Sequence, residues 1–392
     1  MSYPRPFGPY TLLERLGAGG MSEVDLARRS LEGGELTRFL VIKRMLGDAV
    51  ADPGIGTVLK DEARITALLH HHNIAQTYDY GTLDQQFFLA MEFVPGLDLR
   101  QVQRAQARRG LTIPPRFVLS VVGALLEGLQ YAHEQVDDQG KPLRIVHRDI
   151  NPRNIMVSLR GEVKVIDFGV AKAEGRLQGE TVGHSFKGKF AYMAPEQLEL
   201  GRAIDGRADL FAAGLMLHEL IDGVHPFAGL KEGQILQRLL GPAIQPPQPI
   251  PAELDATLFR AIHARALSKA PDLRYPDARS FRKDLELLAA PLGGFCSRAE
   301  LAAFVRECSP GLGEQLSARL AQYRTGELSP PPPQPVVEPV ESERTRAGRA
   351  AAAESGAPSL LVMVAIGLGV GALAALFGAL LLGLGWWLLS PD

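Results

Sequence analysis

The run His147-Arg-Asp-Ile-Asn-Pro-Arg-Asn154, continued by Ile-Met-Val-Ser-Leu-Arg-Gly-Glu-Val-Lys-Val-Ile-Asp-Phe-Gly169, constrains this chain more than any other stretch. Two short apolar runs flank a turn near Arg160–Glu162, so Ile155–Ile166 reads as a β-hairpin. A hairpin returns its end to its beginning, which places Asn154 and Asp167 together. Both offer hard oxygen atoms suited to Mg²⁺, a cation that keeps several waters and shares phosphate oxygens. Asp149 stands close enough to Asn154 in sequence to face the same phosphate. A purely structural role for all of these residues at once is a poor account of the pattern.

The residues before this run are strand-like. Tyr10–Leu16 and Glu23–Arg28 flank the turn Leu16-Gly-Ala-Gly-Gly-Met-Ser-Glu-Val24, and Arg38–Lys43, Ile74–Tyr80 and Phe87–Phe93 are further apolar runs. Glycines in such a turn let backbone amides approach phosphate oxygens, although a Gly-rich hairpin turn also serves purely conformational ends. Lys43 shares a strand face with Phe39 and Val41, and that face is expected to look inward. A helix is expected at about 57–70, where Val58, Glu62, Ile65 and Leu69 form one stripe with a carboxylate inside it. A buried charge needs a partner, and Lys43 is the natural one for Glu62, while a Glu at the edge of an ordinary surface stripe remains the bland alternative. From about 98 onward the pattern is mostly helical. The expectation is a small β-rich lobe followed by a larger α-rich lobe, and no repeat of 20–50 residues argues for a solenoid or propeller.

Taken in order and spacing, these motifs resemble the eukaryotic-like (Hanks-type) protein kinases, and among them the bacterial Ser/Thr kinases, over roughly residues 10–290. The resemblance implies an α+β, bilobal protein-kinase fold that uses ATP with Mg²⁺, Mn²⁺ being an alternative metal. It implies that Leu16, Gly17, Ala18, Gly19, Gly20 and Val24 cover the ATP phosphates, and that Lys43, paired with Glu62, holds the α- and β-phosphates. Met91 becomes the gatekeeper, Glu92 to Val94 the adenine-binding hinge, and Asp98 a ribose contact. Asp149 orients the substrate hydroxyl and accepts its proton, while Asn154 and Asp167 hold metal. Ala194-Pro-Glu196 matches the end of the activation segment, Asp209 the buried Asp of a central helix, and Arg274 the partner of Glu196. Arg148 is the arginine that in this family pairs with a phosphorylated activation loop, for which Thr181 and Ser185 are the acceptors.

The chain departs from the family pattern at three places. Ser22 replaces the third loop glycine, Asn151 the catalytic-loop Lys, and Lys189 the substrate-side Thr. Arg153 stands four residues after Asp149, where one class of tyrosine kinases places a compensating Arg, so Arg153 is expected to neutralise γ-phosphate charge in place of the missing Lys. The last two departures blur the choice between Ser/Thr and Tyr, and all three leave open an ATP-binding pseudokinase or scaffold. The stretch GKFAYMAPEQ favours the Ser/Thr reading.

Beyond the kinase-like body, residues 297–325 carry two helical patterns broken at Ser309–Gly311, a small appendage of unknown role. Residues 329–358 read as a Pro/Ala-rich linker, a semi-rigid spacer in preference to a ligand for a Pro-binding module. Residues 360–389 hold no charge. As a helix they reach ~45 Å, more than the ~30 Å hydrocarbon thickness, with Trp386 and Trp387 near the far end. Arg344, Arg346 and Arg349 precede this run, which predicts a single pass through the inner membrane with the kinase domain cytoplasmic and the C-terminus outside. Gly367-x-x-x-Gly371 permits close helix approach, so a homodimer is an expected partner state beside the lipid bilayer and protein substrates. A net charge of −2 excludes a strongly basic nucleic-acid binder as the default, and two cysteines cannot build a disulfide framework.

Overall fold

Three nine-residue strands form the middle of the N-terminal lobe. In the computed structural model, which describes residues 3–19, 22–30, 37–45, 60, 63–168, 189–199 and 202–325, a six-stranded sheet runs in the order β1-β2-β3-β4-β6-β5. Its strands are β1 (Arg5–Phe7), β2 (Tyr10–Ala18), β3 (Ser22–Ser30), β4 (Thr37–Met45), β5 (Thr77–Leu83) and β6 (Gln86–Glu92), each pairing antiparallel. Glu62, Gly20, Thr181, Ser185, the linker 329–358 and the apolar run 360–389 lie outside the described residues. Among the described residues no helix is long and apolar enough to cross a membrane.

The faces of β4 divide differently from the sequence expectation. Leu40, Ile42 and Arg44 are the fully buried residues, and Leu40 and Ile42 pack on Phe7, Tyr10 and Phe88 beneath β1. Phe39, Val41 and Lys43 instead occupy the opposite face, where Phe39 and Val41 are half-buried and Lys43 and Met45 buried. The reason is a buried ion pair that the pattern hid. Arg44 donates Nε (2.9 Å) and Nη2 (2.7 Å) to Asp25 Oδ2, and reaches Glu23 at 2.6 Å and Gln86 at 3.0 Å. A buried guanidinium with this many acceptors is satisfied, so the strand can bury its charged face.

A three-stranded antiparallel sheet begins the larger lobe: β7 (Gly96–Asp98), β8 (Ile155–Ser158) and β9 (Val163–Val165). Gly96 is obligatory there, because a Cβ on it would lie 2.1 Å from the Val157 carbonyl oxygen. Residues 63–67 are helical, and among the described residues the larger lobe carries α1 (Leu99–Arg108), α2 (Pro115–His133), α3 (Arg207–Asp222), α4 (Glu232–Leu240), α5 (Ala256–Ala266), α6 (Ala278–Ala289), α7 (Arg298–Cys308) and α8 (Leu312–Thr325). Every residue of α3 from Ala208 to Ile221 is buried, so the helix sits inside the core, with Asp209, His218 and Glu219 as its buried polar groups. It ends at Gly223, whose φ of 76° supplies the left-handed cap. α2, α3, α5 and α6 share one hydrophobic core with β8 and β9, so the hairpin that carries the candidate site rests directly on the helical layer.

Candidate active site

The loop between α2 and β8 is suspended from the N-terminus of α3. Asp209, 1% exposed, accepts the backbone N–H of His147 at Oδ2 and of Arg148 at Oδ1, both at 2.8 Å. His133 Nε2 lies 2.9 Å from the same carboxylate. Burial pushes the Asp209 carboxyl up, but His133, His147 and the Arg148 amide outweigh it and hold the group below its ordinary value. These bonds sustain a left-handed backbone at Arg148, φ 69°, which a non-glycine residue adopts only when its surroundings insist. The His147 ring, fully buried, accepts the Asp149 N–H at Nδ1 (3.2 Å), so its proton sits on Nε2, which donates to the Ile166 carbonyl (3.0 Å). One imidazole therefore ties the start of the loop to the end of the hairpin.

That arrangement brings Asp149, Asn154 and Asp167 to one place. Ile166 N–H donates to the Asn154 carbonyl at 2.9 Å, closing the hairpin as its sequence implied. Asn154 Nδ2 donates to Asp149 Oδ2 (2.9 Å) and to the Asp149 carbonyl (2.7 Å). Asn151 Nδ2 donates to Asp149 Oδ1 at 3.1 Å. Both oxygens of the Asp149 carboxylate are thus held by amide donors, and the group is aimed rather than free to rotate. With Nδ2 engaged, Asn154 has Oδ1 left to offer a cation. Asp167, at φ 63°, presents its carboxylate 3.2 Å from Lys43 Nζ of β4. Phe168 is 2% exposed, stacks obliquely on His147 at 4.5 Å, and its carbonyl accepts from Thr66 Oγ1 at 3.2 Å.

The residues assigned to the nucleotide frame this cluster. Leu16, Gly17 and Ala18 end β2 and Val24 lies on β3 opposite Gly17, while Gly19 N–H bonds to the Ser22 carbonyl at 2.8 Å across the turn. Val24 pairs with Lys43 and Lys43 with Leu89, so the glycine-rich turn, the lysine and the strand leading to Met91 are neighbours in register. Met91 lines a small cavity with Thr66, Ala75, Thr77, Leu89, Val165, Asp167 and Phe168, behind the site. Glu92 pairs with Lys164 at 2.9 Å and accepts the Gln76 N–H, and buried Val94 follows it in the connection to β7. Asp98 has a structural duty: it caps α1, accepting Gln101 N–H at 2.8 Å in a reciprocal capping box. Burial raises the Asp98 carboxyl, and the Gln101 amide and the guanidinium of Arg153 offset part of that rise. Arg153 is exposed, and its backbone N–H donates to Asn151 Oδ1 at 3.0 Å.

The oxygen donors of Asn154 and Asp167, with a lysine 3.2 Å from one of them, fit a hard divalent cation shared with phosphates. A second group, His71, His72 and Glu127, has ligand atoms within 4.8 Å of one another, away from this site. It is poorly made for metal. His71 Nδ1 already accepts the Asn73 N–H at 3.1 Å, which leaves the proton on Nε2, and Arg282 approaches Glu127 at 3.5 Å.

The acceptor side is fastened separately. Arg274 meets Glu196 through two bonds of 2.6 and 2.7 Å with both side chains buried. Sequence reasoning missed a second fastening: Arg100 of α1 donates to Glu219 of α3 (2.6 Å) and to Tyr192 Oη (3.0 Å), and Tyr192 also donates to Glu219. The available signal was Glu219 itself, a carboxylate in the apolar run of α3.

The protein kinase domain model matches residues 10–274. A tyrosine-protein kinase, MasK of Myxococcus xanthus, is 39% identical over 74% of this chain and 46% of its own length. The serine/threonine-protein kinase PknB of Mycobacterium leprae is 32% identical over 70% of this chain and 42% of its own length. The chain thus spans less than half the length of these curated relatives. The crystal structure of the Mycobacterium tuberculosis PknI kinase domain superposes with a TM-score of 0.55 at 27% identity, covering 74% of this chain and 99% of that one. With its helical lobe, curled sheet and suspended loop, this chain belongs to the protein kinase family, with a bacterial Hanks-type kinase domain.

Proposed function

We propose that this protein transfers the γ-phosphate of ATP to Ser and Thr hydroxyls of proteins. The observation that carries the reading is the Asp149 carboxylate, gripped by the amides of Asn151 and Asn154 beside a Lys43–Asp167 pair. Phosphoryl transfer asks for positioning and charge neutralisation more than covalent chemistry. In this reading Asp149 orients the acceptor hydroxyl and takes its proton, and Lys43, with Glu62, holds the α- and β-phosphates. Asn154 and Asp167 hold Mg²⁺, which when bound neutralises phosphate charge. Leu16 to Gly20 and Val24 cover the nucleotide, Glu92 to Val94 receive the adenine, and Asp98 meets the ribose while capping α1.

Asn151 supplies the hydrogen bond to Asp149 that a Lys would give, but not its charge. Arg153 is therefore assigned the γ-phosphate. Because MasK carries a tyrosine-kinase name, and Asn151 and Arg153 depart from the Ser/Thr pattern, tyrosine is the second reading. We further assign Thr181 and Ser185 as autophosphorylation sites read by Arg148. Residues 360–389 become an inner-membrane anchor that leaves the kinase domain cytoplasmic and favours homodimers. The uncharged length of that run and its terminal Trp386 and Trp387 support the anchor.

The test is the full chain in lipid nanodiscs with MgATP, its phosphoamino acids read by mass spectrometry. Asp149→Asn is expected to lower incorporation by about 10²–10⁴-fold, the usual worth of a positioned base, while ATP binding persists. Phosphate on tyrosine alone would select the second reading. ATP binding without any incorporation would make the protein a scaffold.

A further inference from the structure

The helices α7 and α8 are not a free appendage. α7 is set into the larger lobe: Leu301, Ala302 and Val305 are buried, Phe304 packs on Phe117 at 4.4 Å, and Cys308 Sγ accepts from Gln106 at 3.2 Å. Arg298 pairs with Glu162 at the hairpin turn, where Gly161 passes so close that a Cβ would sit 1.8 Å from the Arg298 carbonyl. After the break at Ser309–Gly311, the two ends of α8 pack on different lobes. Its first residue, Leu312, packs on the core of the larger lobe. Its last turn belongs to the other lobe, where Tyr323 is 3% exposed between Leu13 of β2 and Leu26 of β3, joined by Leu320.

Polar contacts repeat the attachment. Arg319 lies 3.2 Å from Glu14, a β2 carboxylate only 3% exposed. Burial raises that carboxyl, and Arg319 is the cation that offsets the rise. Arg28 donates to the Tyr323 carbonyl, and the Arg324 guanidinium lies 5.5 Å from the Phe39 ring. The same small cluster includes Leu16, which opens the glycine-rich turn, and Phe93, in the connection between the lobes. A 14-residue helix reaches ~21 Å, enough to tie two bodies across a hinge.

We propose that α8 is a strap that fixes the angle between the lobes, and with it the height of the glycine-rich turn over the nucleotide. Since the chain runs on from Thr325 toward the linker, a pull or a partner acting downstream reaches β2 and β3 through Arg319 and Tyr323 and needs no contact with the cleft. Unseating it uncovers Tyr323 and Leu320, the Leu13 and Leu26 they pack on, and the buried Glu14 carboxylate, but leaves the larger-lobe core and the core beneath β1 packed. It is therefore the low-cost joint of the molecule.

The proposal rests on the nucleotide-binding reading of the cleft, and its test separates the two. In the full chain, Tyr323→Ala is expected to raise amide exchange in both 312–325 and 10–30 while 115–133 stays protected. Affinity for mant-ATP with Mg²⁺ is expected to fall about fivefold, the lower end of ordinary coupling between sites. Arg319→Glu is expected to act the same way, and adding Glu14→Arg to restore protection and affinity. Should Tyr323→Ala disturb 115–133, the charge-swap pair decides. Faster exchange in 312–325 with 10–30 and affinity unchanged overturns the strap, as does a failure of the swap to rescue. A chain that binds no mant-ATP overturns the nucleotide reading alone, because exchange in 10–30 needs no nucleotide.

Discussion

On the larger-lobe side of the cleft, the catalytic loop hangs from Asp209 by two backbone N–H bonds of 2.8 Å, and His147 pins it to the hairpin. On the smaller-lobe side, that loop system is met by the Lys43–Asp167 pair at 3.2 Å, the Glu92–Lys164 pair at 2.9 Å and Thr66 Oγ1 on the Phe168 carbonyl at 3.2 Å, and α8 ties the lobe down through Tyr323. The first wall is built from bonds between groups deep in one core. The second is a sheet with its own internal ion pair, Arg44–Asp25, joined to the rest at a few points. The contrast teaches that the chemistry is placed by the helical lobe, while the sheet is an adjustable cover. Adjustment requires joints that cost little to open, and the C-terminal helix is such a joint.

The contrast breaks if the larger lobe proves as forgiving as the smaller. Arg274→Ala leaves Glu196 buried without its cation, and the loss of a buried partner costs about 3–5 kcal/mol. Denaturant unfolding is expected to show a loss of that size, and a loss below about 1 kcal/mol would remove the claim that this lobe is the rigid one. A smaller effect is expected from Asp209→Asn, where one of the two loop amides loses its carboxylate acceptor. About 1–3 kcal/mol of stability is expected to go, and phosphoryl transfer to fall more steeply than ATP binding, since the nucleotide cover is untouched.

The probe that needs no substitution is pH. His263, buried against His218 at 2.9 Å, is lowered by burial to about 3, and His225 by burial to about 4. Both values lie below that of a free imidazole, so unfolding takes up protons as the pH falls. Their contribution is complete above the unfolded value of ~6.5 and is lost downward toward those folded values, at about 1.4 kcal/mol per pH unit for each ring. The sheet residues from Tyr10 to Met45 contain no histidine, so the loss is expected to register in the larger lobe. Thermal unfolding between pH 6.5 and 4.5 is expected to show this slope, and His263→Leu to flatten it.

Several parts of this picture could be read before any coordinates. The hairpin that unites Asn154 with Asp167 follows from two apolar runs and a turn, because strand pairing in a hairpin is local. The Arg274–Glu196 pair and the burial of Asp209 came with the family motifs, since a motif stands for a tertiary contact already known. Helices α7 and α8 were legible as helices from their periodicity and the break at Ser309–Gly311. What they touch was not, because periodicity gives a face and not its partner. The burial of the other face of β4, with Leu40, Ile42 and Arg44, was not legible for a related reason: the partner that lets Arg44 be buried is Asp25, nineteen residues away on β3.

Sequence alone therefore determined the family, the order of the elements and the meeting of Asn154 with Asp167 across the hairpin. Each of these depends on residue type and on neighbours close along the chain. Tertiary structure decided the rest: that Asn151 donates to the Asp149 carboxylate, that Arg100 closes on Glu219 and Tyr192, and that Tyr323 reaches back nearly three hundred residues to Leu26. Such contacts are set by how a handful of side chains fill the space between packed elements. That space exists only once the chain has folded.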